Sequence, residues 1–358
     1  MRIQISLFFG IFAAMALSNA IVPVLPSYGG SSAIQAAIYS AYFLGACVST
    51  LPAGILSDRY GRVPVIRFGL AITIASGLLL AVLVSPIPVI VARITEGVGT
   101  GCFVAAAMSY VNSLSEHERL SGYLMASLNA GLVIGLVFSG WLAAQIPYPA
   151  SGILVFSVLV FIPAAASFFI NETGSFSQKG DLNTILTLVQ KFRWLWYSSI
   201  ILIGITGVVT SLFPKFSGYS PDSVGIWISL MSIATIAGVL VASRLPLSPI
   251  PAIRWSALFM IISAIVSYYS PLGFVLLGLC AGVVMIAQMM FLAQVRDHQG
   301  AAMGLFSTTS YLGMALLPFI AGVVADTSGF FYAFCATALF ALTVFLTIDR
   351  CECQLHRT

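Results

Sequence analysis

The chain has 358 residues, of which 59% are hydrophobic and 7% charged, where a soluble domain carries about 25% charged residues. No water-soluble fold hides that much apolar surface, and the length suffices for about twelve helices of about 20 residues, each crossing a hydrocarbon core of about 30 Å. A net charge of +4 with so few charged residues points to no nucleic-acid partner, and the six cysteines form no disulfide framework.

Apolar runs broken by Gly, Pro and charged clusters predict helices over 3–26, 33–56, 64–84, 87–112, 120–145 and 149–170. A polar stretch from Asn171 to Asp181 follows, and then helices over 194–214, 222–243, 252–270, 271–294, 300–324 and 328–348. The first run passes Ser18, Asn19 and Ala20 in the manner of a signal peptide, but it continues through Ile21 to Leu25 and is expected to be retained. The expected architecture is an all-α membrane protein of twelve transmembrane helices in two pseudo-symmetric six-helix bundles, 1–170 and 194–348. A cytoplasmic linker over 171–193 joins them, and a short cytoplasmic tail over 349–358 ends the chain. In the linker, Leu182, Ile185, Leu186, Val189 and Phe192 recur at helical spacing beside Gln190, Lys191 and Arg193, which predicts an amphipathic helix on the inner membrane surface. The sequon Asn171, Glu172, Thr173 falls in the same cytoplasmic connection and is read as incidental.

Orientation follows from the fifteen Lys and Arg, because positive residues in short loops stay on the cytoplasmic side. With the N-terminus inside, thirteen fall on the inner side: Arg2, Arg59, Arg62, Arg67, Arg119, Lys179, Lys191, Arg193, Arg244, Arg254, Arg296, Arg350 and Arg357. Only Lys215 falls outside, and Arg93 lies within a helix. A missed helix would scramble that separation, so both termini are expected in the cytoplasm. The five tryptophans, Trp141, Trp194, Trp196, Trp227 and Trp255, lie near predicted helix ends, as interfacial anchors do.

An internal repeat shows in the glycines. Gly97 and Gly101 recur as Gly278 and Gly282, and Gly122, Gly131 and Gly140 recur as Gly304, Gly313 and Gly322, at offsets of 181 and 182. Five matches at nearly half the chain length indicate a duplicated six-helix unit. Each glycine also serves helix packing, since small residues four apart let helices approach closely in lipid.

Between the second and third helices, Gly54, Leu56, Asp58, Arg59, Gly61, Arg62 and Ile66 stand at the spacing G-x-L-x-D-R-x-G-R-x-x-x-I. In this the chain resembles the major facilitator superfamily, whose signature occupies that loop; Ser57 and Val63 depart from its usual residues. The resemblance is to the drug:proton antiporter branch and implies that superfamily's fold. Asp58 is a carboxylate at the inner interface that needs a partner, either a nearby Arg or the positive end of the eleventh helix near Gly300. Such a bond would form with the inner gate shut and break on opening; the alternative is that the arginines only fix topology.

In the fourth helix, Arg93, Glu96, Gly97, Gly99 and Gly101 resemble the superfamily's R-x-x-x-G-x-G pattern, found in many proton-linked members. Arg93 and Glu96 are three apart on one face and can pair. Of eleven acidic residues, Glu96 alone falls near the middle of a predicted helix, and the equivalent second-half positions hold Phe274 and Leu277. An ionisable residue in the membrane is costly and usually has a use, so the pair is expected to couple transport to a proton; a static neutralised pair is the alternative. In the fifth helix Gly131, Gly135 and Gly140 approach an antiporter pattern that lacks its proline, replaced by Leu136. The repeat keeps Gly313, Pro318 and Gly322.

Polar groups that could face a substrate are Asn19, Tyr39, Tyr42, Asn129, Gln288, Thr308 and Tyr311, each of which could equally make a helix–helix hydrogen bond. No nucleophile–base pair or metal-ligand cluster is visible, so neither an enzyme, a metal nor another cofactor is expected. The reading is a monomeric secondary transporter of the plasma membrane, surrounded by lipid. It works by alternating access, with proton-coupled export of a small amphiphilic molecule. Uptake or facilitated diffusion of a polar metabolite is the alternative within the class, and a non-transporting sensor the alternative outside it.

Overall fold

A computed structural model describes residues 5–114, 117–172, 182–293 and 299–351. Arg2, Lys179, Arg296, Arg357 and Thr173 lie outside the described residues, as do the side chains of Asp58, Leu182 and Ile185.

Lipid offers the backbone no hydrogen-bond partners, so each apolar run must satisfy its own amides by coiling into a helix. The first crossing, α1, covers Ser6–Tyr28. It opens with a π turn over Ile5–Phe9 and tightens to a 3₁₀ helix over Val22–Tyr28. Pro23 and Pro26 in that last stretch have no amide hydrogen to give to an α-helical ladder. There follow α2 (Ser32–Tyr60), α3 (Arg62–Val82), α4 (Pro86–Asn112) and α5 (His117–Gln145). Next comes α6, a shorter apolar stretch over Ser151–Ser167 whose regular ladder lapses at Val160. The lapse falls three residues before Pro163, which cannot donate to the Leu159 carbonyl.

The amphipathic α7 covers Leu182–Lys191. The second half then supplies α8 (Arg193–Phe216), α9 (Pro221–Ala242), α10 (Pro249–Tyr269), α11 (Gly273–Ala293), α12 (Gln299–Ser328) and α13 (Phe330–Thr347). Among the described residues eleven helices are long and apolar enough to cross a membrane, and α6 is the twelfth apolar element.

Two compact units result. The first comprises Met1–Gly30, Ala41–Lys179 and Ser217–Ser229; the second comprises Ser31–Ser40, Gly180–Phe216 and Leu230–Thr358. Each unit therefore includes one segment drawn from the other half of the sequence: the start of α9 in the first, the start of α2 in the second.

The glycine repeat has a direct structural meaning. A methyl on Gly97 would overlap the Tyr42 carbonyl of α2, and one on Gly278 would overlap the Met231 carbonyl of α9. Gly131 abuts the Phe12 carbonyl of α1, and Gly313 abuts Ile200 of α8. Gly140 lies on Pro221 at the start of α9, and Gly322 on Ser32 and Ala36 at the start of α2. Four of the five repeated pairs are close approaches at equivalent contacts in the two halves: Gly97 and Gly278, Gly101 and Gly282, Gly131 and Gly313, Gly140 and Gly322. Gly122 is different, with open space around it.

Candidate functional site

The buried charge of the first unit is built on the tight contact between α2 and α4. Gly45 on α2 meets the Ile94 carbonyl of α4, while Gly97 and Gly101 of α4 meet Tyr42, Ala46 and Ser49 of α2. A side chain at any of these glycines would force the helices apart. Their approach places the Tyr42 ring 4.7 Å from the Arg93 guanidinium carbon. One turn along α4, Glu96 Oε2 accepts a hydrogen bond from Arg93 Nη1 at 2.6 Å, and the two side chains are 1% and 0% exposed. Glu96 is the eleventh residue of α4, about 15 Å along the axis at 1.5 Å per residue and so near the bilayer middle.

The pair is not fully satisfied. Among the described residues Arg93 Nε and Glu96 Oε1 are buried without hydrogen-bond partners, and the guanidinium also faces the Tyr42 ring. An ion pair removed from water is stabilising only when its remaining donors and acceptors are met. This one leaves Glu96 Oε1 and Arg93 Nε unmet, an arrangement suited to a proton or to a change of partner rather than to holding the fold together.

The signature motif lies almost wholly on helices rather than in the expected loop. Gly54 through Tyr60 continue α2, and Arg62 begins α3, so the turn is the single residue Gly61 at φ 104°. That left-handed backbone is what the glycine supplies. Gly54 has open space around it, so neither a turn nor a close approach explains it. Because Gly61 has no capping side chain, the first amides of α3 need an acceptor from elsewhere. Glu172 provides it: its Oε1 accepts from the Arg62 amide at 3.1 Å and its Oε2 from the Val63 amide at 2.9 Å. The adjoining chain is held as well, since Tyr110 Oη donates to the Asn171 carbonyl at 3.1 Å.

The motif's arginines divide. Arg62 Nε donates to Ser109 Oγ of α4 at 2.9 Å, whereas Arg59 is exposed and lies over Tyr60. Leu56 is also exposed. Arg67, expected only to fix topology, caps the end of α6 by donating to the Ser167 carbonyl and stacks on Phe168 at 4.9 Å. The sequence reading missed Glu172 by treating its sequon as incidental; the uncapped start of α3 was the available signal.

Of the polar residues expected to face a substrate, Tyr42 alone is placed on the charged pair by the contacts described. Asn19 donates to the Leu132 carbonyl of α5 at 3.2 Å and Asn129 to the Met125 carbonyl of its own helix at 2.8 Å. In the second unit, Gln288 donates to Ser198 at 3.0 Å and is fully buried. Tyr39 is buried there near Gly207, and Thr308 and Tyr311 are half-buried on α12. Gly135 meets the Ala16 carbonyl, Leu136 presents its carbonyl to Gly225, and Pro318 packs on Gly207.

A further acidic contact lies at the opposite end of α2 from the motif. Asp326, near the end of α12, accepts from the amides of Ser32 and Ala33 at 2.7 and 2.8 Å, and Lys215 Nζ stands 3.8 Å from its Oδ1. A partner 294 residues away leaves no local trace in the sequence.

Helices of membrane-spanning length, duplicated packing and a charged pair buried in one copy define a membrane transport protein. The chain belongs to the Major Facilitator Superfamily, whose model matches residues 7–314. Among its relatives, the quinolone resistance protein NorA of Staphylococcus aureus (strain MSSA476) is 24% identical, with 89% of each chain covered. Multidrug resistance protein 2 of Bacillus subtilis (strain 168) is 25% identical over 90% of this chain and 89% of that one. Among solved structures, a bacterial homolog of the human lysosomal transporter Spinster superposes with a TM-score of 0.76 at 12% identity, covering 99% of this chain and 96% of the other. The nucleoside transporter NupG gives 0.74 at 15% identity, covering 98% and 99%. These two share its fold; the two relatives are named for quinolone and multidrug resistance, and the chain is a multi-pass membrane transporter.

Proposed function

We propose that this transporter exports a small amphiphilic molecule from the cell by alternating access, driven by a proton taken up and released at Glu96. The observation that carries the reading is the isolated, incompletely bonded Arg93–Glu96 pair near the middle of α4. Burial disfavours a charged carboxylate and a neighbouring guanidinium favours it, so a change in the distance or wetting of the pair changes how tightly the proton is held. Tyr42 gives Arg93 a second partner during that change. The drug-resistance relatives support an amphiphilic substrate and an export direction. The signature motif supports a gate at the inner side governed by Asp58, with both termini in the cytoplasm. The protein acts as a monomer in the plasma membrane.

The test is Glu96→Gln in proteoliposomes with a verified pH gradient. Gln keeps size and hydrogen bonding but cannot titrate, so substrate exchange should persist while proton-driven accumulation fails. Unchanged proton-driven accumulation would make the carboxylate a structural partner of Arg93 and leave passive transport as the reading.

A further inference from the structure

The second unit gathers cations at one end in a way its packing does not require. Trp194 opens α8, and the guanidinium carbon of Arg350, from the 3₁₀ turn Ile348–Cys351 after α13, lies 5.1 Å from its ring centroid. Arg193 lies 5.4 Å from the same ring. Both arginines are exposed and the indole is half-buried. The two helix ends are tied together by the hydrogen bond between Tyr197 Oη and Thr343 Oγ1 at 2.6 Å, so the arrangement is anchored from beneath. The neighbouring carboxylate does not neutralise it, because Asp349 is engaged by Arg254.

Two like charges held on one aromatic ring repel each other, and an anion between them removes the repulsion. A guanidinium pair offers forked N–H donors that match phosphate oxygens. Position selects the kind of phosphate. A tryptophan at the end of a membrane-crossing helix sits at headgroup depth. Beside it α7 is docked through buried Leu188, whose carbonyl accepts from Trp196 Nε1 at 3.0 Å. The same helix leaves Leu186 and Val189 exposed at 59% and 40%, apolar side chains suited to acyl chains.

We propose that Arg193, Trp194 and Arg350 form a binding site for the phosphate headgroup of an anionic phospholipid, with α7 alongside its acyl chains. The site is independent of the substrate and of proton coupling.

The experiment uses the full chain in mixed micelles of phosphatidylglycerol and phosphatidylcholine, with retained lipid counted by native mass spectrometry. The double variant Arg193→Gln/Arg350→Gln is compared with Arg119→Gln/Arg244→Gln, which removes the same charge from exposed positions elsewhere on the expected inner face. Phosphatidylglycerol retention should fall about fivefold for each arginine removed from the site and remain near wild type in the control pair. Inorganic phosphate at the lipid's concentration should fail to displace it. Equal losses in both doubles would reduce the effect to diffuse positive charge, and displacement by inorganic phosphate would make the site one for a free anion; either result overturns the lipid site.

Discussion

Separating the two members of the buried pair should be far more damaging than removing both. In Arg93→Leu the Glu96 carboxylate, 0% exposed and already lacking a partner on Oε1 among the described residues, loses the hydrogen bond it accepts on Oε2. Breaking one side of a buried ion pair costs about 3–5 kcal/mol, because an uncompensated charge stays behind. In Glu96→Leu the stranded group is the guanidinium, which keeps the Tyr42 ring at 4.7 Å. A desolvated cation–π contact contributes about 2 kcal/mol, so this single change should cost less, about 1–3 kcal/mol. The double Arg93→Leu/Glu96→Leu removes both desolvation penalties and should lie between wild-type stability and a gain of about 1–4 kcal/mol. Unfolding of purified protein by dodecyl sulfate in mixed micelles reads all four corners of the cycle. A double variant as unstable as the two singles added together would show that the charges do not act on each other. Arg93 and Glu96 would then be two independent buried side chains, not a coupled pair.

Asp58→Asn should reach the membrane and bind substrate yet transport more slowly, because the proposed bond to the inner side forms only in one state; normal cycling would remove the gating role. Asp326→Ala takes the acceptor from two helix-start amides, and a lost cap costs about 0.5–2 kcal/mol, so the apparent melting temperature should drop while Asn at this position recovers part of it. An unchanged melting curve would mean that water replaces the carboxylate at no cost. Single cysteines placed near either terminus should resist a membrane-impermeant thiol reagent in intact cells, and labelling from outside would reverse the topology drawn from the arginines.

What the sequence made legible is what the bilayer enforces. A crossing needs about 20 apolar residues and its flanks sort by charge, so the number of helices could be read, and Arg93 and Glu96 stood out by being where charge is expensive. Repeated glycines were legible because backbone contact in lipid selects small residues at fixed spacing. Two kinds of feature were hidden. One is the partner that is distant in sequence: Glu172 on the start of α3 and Asp326 on the start of α2 satisfy amides 110 and 294 residues away. The uncapped start of α3 shows that an acceptor is needed but not which residue supplies it, and nothing local marks Asp326. The other is the detail of helix ends, where Pro23 and Pro26 tighten α1 and Pro163 interrupts α6 in ways that hydropathy averages over. Arg67 combines both faults, since its count toward topology concealed its contact with the end of α6.

The duplication and the charge point in opposite directions, and the difference bears on how the protein divides its labour. Gly97 and Gly278 make equivalent contacts on α2 and α9, so the two copies share one packing scheme. At the positions corresponding to Arg93 and Glu96, however, the second copy has Phe274 and Leu277, both fully buried. Phe274 stacks edge-on against Phe213 at 4.6 Å, giving an apolar core where the first copy has an ion pair. A charged pair contributes less to stability than a well-packed apolar core of similar volume, and the second copy shows that this scaffold accepts such a core. The fold therefore does not require Arg93 and Glu96. Their presence in one copy alone is what function, rather than packing, has to explain, and it makes the first unit the place to test the proposed coupling to a proton.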